Sequence, residues 1–166
     1  MITYEYVFGI DPGKTGAISI FTLLNDEYYL QDIADYEDTY KVLSILQSRA
    51  IQDFECIAFL ENVHAAPGQS VSAMFNFGQN LGWWKGLLDG LHITYDLIAP
   101  QSWSPKMLGR TDDKKNKARE VATKLFSRDH DCQVDDYGQP WFRLKKHDGR
   151  ADSALIGWYG IQKYLR

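Results

Sequence analysis

Hydrophobic positions along the chain follow two spacings, one typical of strands and one typical of helices. Short apolar or alternating runs predict strands at residues 3–10, 16–23, 28–33, 56–60 and 91–98. Helical spacing predicts helices at residues 38–46 and 70–90, a short one around Trp103, a basic one from Asp112 and a C-terminal one from Asp148. This order predicts an α/β fold in which a five-stranded mixed sheet is flanked by helices.

Length and composition indicate one globular domain over residues 1–166. Hydrophobic residues make up 45% of the chain, enough for a sizeable core at this length. Residues 129–146 are expected to form an irregular loop within the domain, because they show no hydrophobic period. No apolar run approaches the roughly 20 residues of a membrane span, and the first residues lack a basic signal-peptide start. Since Cys56 and Cys132 are expected to be free thiols, we expect a cytoplasmic protein with no membrane partner.

The charge of the chain is divided unevenly between its two parts. The net charge is −4, but residues 1–100 hold 4 Lys and Arg against 13 Asp and Glu, whereas residues 101–166 hold 14 against 9. The second part includes the basic helix with Lys114, Lys115 and Lys117. These lysines either form a solvated face or contact phosphates, which is the sequence-independent part of DNA binding.

The first predicted strand ends in a carboxylate, Asp11, followed by a Pro-Gly turn. A carboxylate at the end of an apolar strand is costly unless it is paired, and Mg²⁺ held by a few oxygen ligands would pair it. Alternatively, Asp11 caps the turn through neighbouring N–H groups. A phosphate-binding P-loop is not indicated, because only three residues separate Gly9 from the Gly-Lys-Thr run at 13–15 and Pro12 has no N–H.

Three further carboxylates stand at places where an α/β fold gathers ligands. Glu61 follows the strand 56–60, and if that strand neighbours the first one, Glu61 and Asp11 lie at one edge of the sheet. Asp148 and Asp152 are four residues apart, so they share a face at the start of the last helix. A divalent cation would relieve their repulsion, although helix-end acids are also ordinary in the absence of any metal.

The predicted helix 70–90 has a glycine at every fourth position: Gly78, Gly82, Gly86 and Gly90. Each glycine costs roughly 1 kcal/mol relative to Ala in a helix interior, so a reason for them is needed. We expect another backbone, from the sheet or from a second subunit, to approach this stripe closely. The apolar residues of the helix are expected mostly to face the core.

The four carboxylates lie within an ordered set of short motifs at residues 9–13, 60–63, 77–82, 99–100, 107–109, 147–148 and 151–155. This ordered set resembles the RuvC family of Holliday-junction resolvases, which implies an RNase H-like fold. The short chain and its 147–152 run are most similar to the phage-encoded branch, which would place the protein in the host cytoplasm.

Two positions depart from the family pattern. The last two acids of cellular members are usually three residues apart, and here Gly149 stands in the expected place of the first. Either the helix begins irregularly or His147 shares the role of Asp148. An aromatic wedge three residues after the central Glu is replaced here by His64.

The resemblance implies a metal-dependent endonuclease that resolves four-way junctions, and other branched DNA, by symmetric nicking that leaves 5′-phosphate and 3′-hydroxyl ends. It implies two Mg²⁺ ions, for which Mn²⁺ would substitute. Asp11 would bridge both ions, Glu61 and Asp148 would complete the shell, and Asp152 would hold the second ion.

The resemblance also implies how the protein would meet DNA. Lys114, Lys115 and Lys117 would contact the junction arms. His64 would either stack at the junction in place of the aromatic wedge or be an ordinary loop histidine. Symmetric nicking implies a homodimer, because two sites must be related by a two-fold axis. The alternatives are an RNase H-like nuclease acting on RNA/DNA hybrids or flaps, and a non-catalytic binder of DNA structure.

Overall fold

The computed structural model describes residues 3–50, 52, 54–64, 68–126, 134–135 and 139–165. Within them the elements are β1 (Tyr6–Asp11), β2 (Ala17–Leu24), β3 (Glu27–Asp35), α1 (Thr39–Ala50), β4 (Cys56–Glu61), α2 (Val71–Gly90), β5 (Thr94–Ile98), α3 (Pro100–Leu108), α4 (Lys114–Phe126) and α5 (Asp148–Gly160). A 3₁₀ turn at Lys145–His147 precedes α5, and a π-helical turn at Ile161–Leu165 follows it.

The strands form one mixed sheet in the order β3-β2-β1-β4-β5. The first three strands are antiparallel neighbours, whereas β4 and β5 run parallel to β1. The predicted five-stranded mixed sheet is therefore confirmed, with α1 in the connection that carries the chain to the parallel strand β4. Because Ile10 pairs with Leu60, the next residues, Asp11 and Glu61, end neighbouring strands at the same edge.

Helices cover both faces of the sheet, which explains why its inner strands are apolar along their whole length. Helices α1 and α2 pack on the face that carries Phe8, and α3, α4 and α5 pack on the face that carries Val7. Helix α5 lies directly on the central strand, since a Cβ atom at Gly9 would stand 2.1 Å from the Ser153 carbonyl oxygen. This close approach holds the first turns of α5, including Asp152, beside the end of β1.

Helix α2 is less buried than its apolar sequence predicts. Its fully buried side chains are Trp84 and Leu88, while Val71 is 79% exposed and Phe75 is 64% exposed. The expectation that its apolar residues mostly face the core is therefore wrong for the first half of the helix. The glycine stripe does not contact the sheet, because none of the described atoms lies within 4 Å of a Cβ built at any of the four glycines.

Two element boundaries differ from the predicted ones for local reasons. Strand β5 begins at Thr94 rather than at residue 91, because Leu91 caps α2 and His92 adopts a φ of 55°. Helix α3 is nine residues long rather than a short turn, and Pro100 occupies its first position, where a missing N–H costs nothing.

The predicted irregular loop 129–146 is described only in part, since residues 129–133, which include Cys132, and 136–138 lie outside the described residues. The rest contains an isolated bridge between Val134 and Pro140 and the 3₁₀ turn before α5. Cys56 is a buried free thiol, as predicted. Among the described helices, none combines the length and the apolar character needed to cross a membrane.

Candidate active site

Three of the four predicted carboxylates meet at one edge of the sheet. Asp11 is the last residue of β1, Glu61 is the last residue of the parallel strand β4, and Asp152 lies in the second turn of α5. Each pair among them interacts electrostatically, because Asp11 raises the pKa of Glu61 and both raise the pKa of Asp152. We call these three residues the acidic cluster.

Asp11 both caps the turn after β1 and belongs to the acidic cluster. Its Oδ1 accepts a hydrogen bond of 2.8 Å from the Gly13 N–H, which is the capping arrangement that the sequence left open. Burial nevertheless raises its pKa to about 6, and the Gly13 hydrogen bond and the charge of Lys115 offset only part of that rise. The capping hydrogen bond therefore compensates only part of the cost of burying the Asp11 carboxylate.

Glu61 is oriented by a tryptophan from α3. The indole N–H of Trp103 donates a 2.8 Å hydrogen bond to Glu61 Oε1, and Trp103 itself is buried, with only 4% of its surface exposed. Burial raises the pKa of Glu61 to about 7, and the nearby Asp11 adds to the rise, whereas the Trp103 hydrogen bond lowers it. One carboxylate oxygen of Glu61 is thus held while the other stays available.

Asp152 has the largest pKa rise in the acidic cluster. Burial raises its pKa to about 8, with further increases from Asp11, Glu61 and Asp148 and a decrease from Lys115. A carboxyl group whose charge is disfavoured by burial and by like charges is typical of sites that bind a cation or move a proton.

Asp148, the fourth predicted carboxylate, is paired with helix α4. Its Oδ1 accepts a hydrogen bond of 2.5 Å from Arg119 Nη1, and its Oδ2 lies 3.3 Å from Lys115 Nζ. The neighbouring Gly149 packs on the turn after β1, where a Cβ would stand 2.0 Å from the Thr15 carbonyl oxygen. This contact explains why position 149 carries no acid.

The acidic cluster has the donor chemistry of a magnesium site, since hard divalent cations take carboxylate oxygens. Burial raises the pKa of all three carboxyl groups, and neighbouring carboxylates raise the pKa of Glu61 and of Asp152 further, so a bound cation would stabilise their ionised forms. As the side chains stand, though, none of the groupings of His, Cys, Asp and Glu among the described residues has the geometry of a metal site. The carboxylates would therefore converge when a cation binds.

The predicted DNA-contacting residues fall into three places. Lys114 and Lys115 line a cavity of about 380 Å³ together with Glu61, Trp103 and Asp152. Lys117 lines a separate open groove along α4, and its ammonium lies 3.4 Å from Glu120. His64 is exposed in the loop after β4, three residues beyond Glu61.

Arg150 forms a second charged group on the first turn of α5. Its Nε and Nη2 donate hydrogen bonds of 2.7 and 2.6 Å to the two carboxylate oxygens of Asp35, and its Nη1 donates one of 3.2 Å to Asp135. These hydrogen bonds raise the pKa of Arg150 although burial opposes the rise. We call Arg150, Asp35 and Asp135 the arginine network.

The site also contains two residues that the sequence pattern did not single out as functional, Trp103 and Arg119. Hydrophobic spacing predicts a short helix around Trp103 and a basic helix that includes Arg119, but it assigns neither side chain a partner. Their partners lie 42 and 29 residues away in the chain. A sequence signal for either contact would require covariation between distant positions.

Known proteins resemble this chain in structure but not detectably in sequence: no family model and no curated protein matches it. Among solved structures, Thermus thermophilus RuvC in complex with a Holliday junction substrate has a TM-score of 0.56 at 11% identity, covering 96% of each chain. The fowlpox virus resolvase complexed with Holliday junction DNA has a TM-score of 0.57 at 17% identity, covering 97% of this chain and 99% of that one. The yeast mitochondrial Holliday junction resolvase Ydc2 has a TM-score of 0.54 at 16% identity, covering 98% and 82%. The chain therefore has the fold of RuvC and other Holliday junction resolvases.

Proposed function

We propose that this protein is a metal-dependent endonuclease that resolves four-way DNA junctions, and related branched DNA, by paired nicks that leave 5′-phosphate and 3′-hydroxyl ends. The observation that carries the proposal is the acidic cluster at the edge of a fold shared with junction resolvases. Three carboxylates from β1, β4 and α5 meet where ligands gather in open α/β sheets.

The acidic cluster would hold the divalent cation, with Mg²⁺ favoured by its all-oxygen donors and Mn²⁺ as a substitute. Such ions, when bound, would supply an activated water and charge stabilisation for the leaving oxygen of a phosphodiester. Asp11, Glu61 and Asp152 would hold them, and Asp11 interacts electrostatically with both of the other carboxylates. Trp103 fixes the orientation of Glu61, and Gly13 fixes that of Asp11.

The DNA would enter over α4. Lys114 and Lys115 line the same cavity as Glu61 and Asp152, which supports a role for their ammonium groups in binding phosphates near the scissile bond. Because the remainder of the chain is acidic, this contact would be local and sensitive to salt.

Symmetric nicking also requires a homodimer, and α2 offers a surface for it. The exposed side chains of Val71 and Phe75 continue into the open glycine stripe, where a partner backbone would find no obstructing side chain. Replacing Gly82 by Leu is expected to convert a dimer to a monomer, as measured by light scattering. An unchanged dimer mass would assign the interface to another surface.

A panel of substrates with one shared sequence tests the proposed function. Four-way junction, flap, duplex and RNA/DNA hybrid would be compared in Mg²⁺, with both junction strands labelled. We expect paired symmetric nicks in the junction and little cleavage of the duplex. Cleavage of the hybrid alone would reassign the protein as a ribonuclease, and junction binding without cleavage would reassign it as a structural binder. A cytoplasmic location, in the host cell if a phage encodes the protein, stays a prediction.

A further inference from the structure

The first acid of α5 is directed toward helix α4. Asp148 uses both carboxylate oxygens on cations of that helix, Oδ1 on Arg119 at 2.5 Å and Oδ2 on Lys115 at 3.3 Å. The Asp148 and Arg119 side chains are only 16% and 12% exposed, so this contact is an interior link between two helices rather than a surface ion pair.

Chain geometry explains this direction. Successive residues of an α-helix are rotated by about 100°, so an acid at position 148 points elsewhere than one at position 149. Position 149 is closed to any side chain, because its Cβ would overlap the Thr15 carbonyl oxygen.

We propose that Asp148 is a positioning residue, which docks α4 and holds Arg119 and Lys115 beside the acidic cluster, while Asp11, Glu61 and Asp152 hold the cation. The part of this inference that concerns the cation rests on the proposed function. The part that concerns docking rests on the two ion pairs alone.

Docking matters at the first half of α4, because the large apolar side chain that anchors the helix, Phe126, lies at its other end. Its buried side chains are two alanines and Phe126, whereas most of the helix surface is charged. Lys115 is 75% exposed, yet it lines the same cavity as Glu61 and Asp152, so it stands near the cluster. The pairing with Asp148 keeps the Lys115 ammonium where a phosphate would approach.

Hydrogen exchange of the metal-free protein tests the docking role. In Asp148→Asn, amides of α4 around Arg119 are expected to exchange about tenfold faster, because local opening of the helix becomes easier. Asp152→Asn, the same substitution on the same helix, should leave α4 exchange unchanged, and Asp148→Glu should restore most of the protection. Unchanged α4 exchange in Asp148→Asn would overturn the docking role.

A second variant controls for misfolding of Asp148→Asn, in which Arg119 would be buried without its carboxylate. The double variant Asp148→Asn with Arg119→Gln removes both charges and leaves a neutral hydrogen-bonding pair in their place. It should fold, and its α4 amides should exchange faster than those of the wild type. Wild-type protection in this double variant would also contradict the docking role.

Titration of Mn²⁺ into the protein without DNA, followed by calorimetry and by electron paramagnetic resonance, tests the cation assignment. Asp148→Asn and the double variant should bind Mn²⁺ within about twofold of the wild type, whereas Asp152→Asn should bind at least about tenfold more weakly. An equal loss in Asp148→Asn and Asp152→Asn would make Asp148 a ligand and overturn the inference. Wild-type protein that binds no Mn²⁺ would contradict the cation assignment together with the proposed function, while hydrogen exchange would still decide the docking role.

Discussion

The arginine network and the acidic cluster each include one residue from the first turns of α5, and they differ in whether their charges are paired. In the arginine network, Arg150 is only 11% exposed and donates three hydrogen bonds to Asp35 and Asp135, so its charge is fully paired. The acidic cluster gathers three carboxyl groups whose hydrogen bonds, among the described residues, come from the backbone of Gly13 and the indole of Trp103. One group links elements together, and the other places like charges side by side.

This difference indicates which of the two groups the fold alone explains. A paired interior charge is explained by the fold, because it connects α5 to the end of β3 and to the segment before α5. Carboxyl groups gathered with raised pKa values destabilise the metal-free protein, and under the proposed function a bound cation would offset that cost. Four ways to test the comparison follow, in order of decreasing effect.

Replacing Asp152 by Asn should have the largest effect. Loss of one metal-holding carboxylate is expected to lower the rate of junction cleavage by at least about a thousandfold, or about 4 kcal/mol in activation free energy. The metal-free variant should be no less stable than the wild type at pH 8, since one of three repelling charges is gone. Single-turnover cleavage and urea denaturation measure the two effects; a large loss of stability would show that Asp152 has a structural role.

Replacing Arg150 by Gln should have the reverse pattern. It removes the guanidinium that Asp35 and Asp135 share and is expected to lower the free energy of unfolding by about 3 kcal/mol. Lys117→Gln, which breaks an exposed pair with Glu120, is the control and should cost less than about 1 kcal/mol. Urea denaturation of both variants measures the difference, and equal costs would remove the distinction between interior and exposed pairs.

Stability should depend on pH through the acidic cluster. Glu61 and Asp152 have pKa values of about 7 and 8 in the folded protein against ordinary values of 4.5 and 3.8, so the folded state binds more protons than the unfolded state near neutral pH. The free energy of unfolding should therefore fall as pH rises, by about 2 kcal/mol between pH 6.5 and 8.5 in EDTA.

The window begins at pH 6.5 because burial lowers the pKa of His147, so below that value the titration of His147 opposes the change that the carboxyl groups cause. Denaturation curves at several pH values measure the slope, and Asp152→Asn should flatten it. Millimolar Mg²⁺ should also flatten it by favouring the ionised carboxylates. A slope that is identical in the variant would mean that other groups cause it.

Replacing Trp103 by Phe should give the smallest effect. The variant keeps the aromatic packing but removes the N–H that holds Glu61, so the half-saturating Mg²⁺ concentration for cleavage should rise about tenfold. Trp84→Phe is the matched control, because Trp84 is also buried but its Nε1 has no hydrogen-bond partner among the described residues. An equal change in both variants would attribute the effect to packing.

Hydrophobic spacing predicted the fold well because the core itself selects that spacing. The continuous apolar runs of β1 and β4 indicated strands covered on both faces, and their parallel pairing then placed Asp11 and Glu61 together. The exposed first half of α2 escaped prediction because an apolar helix that faces solvent has the same pattern as one that faces a core.

Contacts between polar side chains could not be predicted in the same way. Arg150 and Asp35 are 115 positions apart, and the spacing of neither residue indicates the other. Asp148 was placed correctly at the start of α5, but its pairing with Arg119 depends on how α4 packs beside α5. Hydrophobic patterns determine which faces meet, whereas the partner of each charge depends on side-chain geometry that the pattern does not contain.

The most direct test of the central claim is cleavage of a labelled four-way junction by the wild type and by Asp11→Asn, in Mg²⁺ and in EDTA, with junction binding measured in parallel. The account predicts paired symmetric nicks by the wild type in Mg²⁺ only, and no cleavage by a variant that still binds the junction. Cleavage that survives in EDTA, or that Asp11→Asn performs at the wild-type rate, would contradict it.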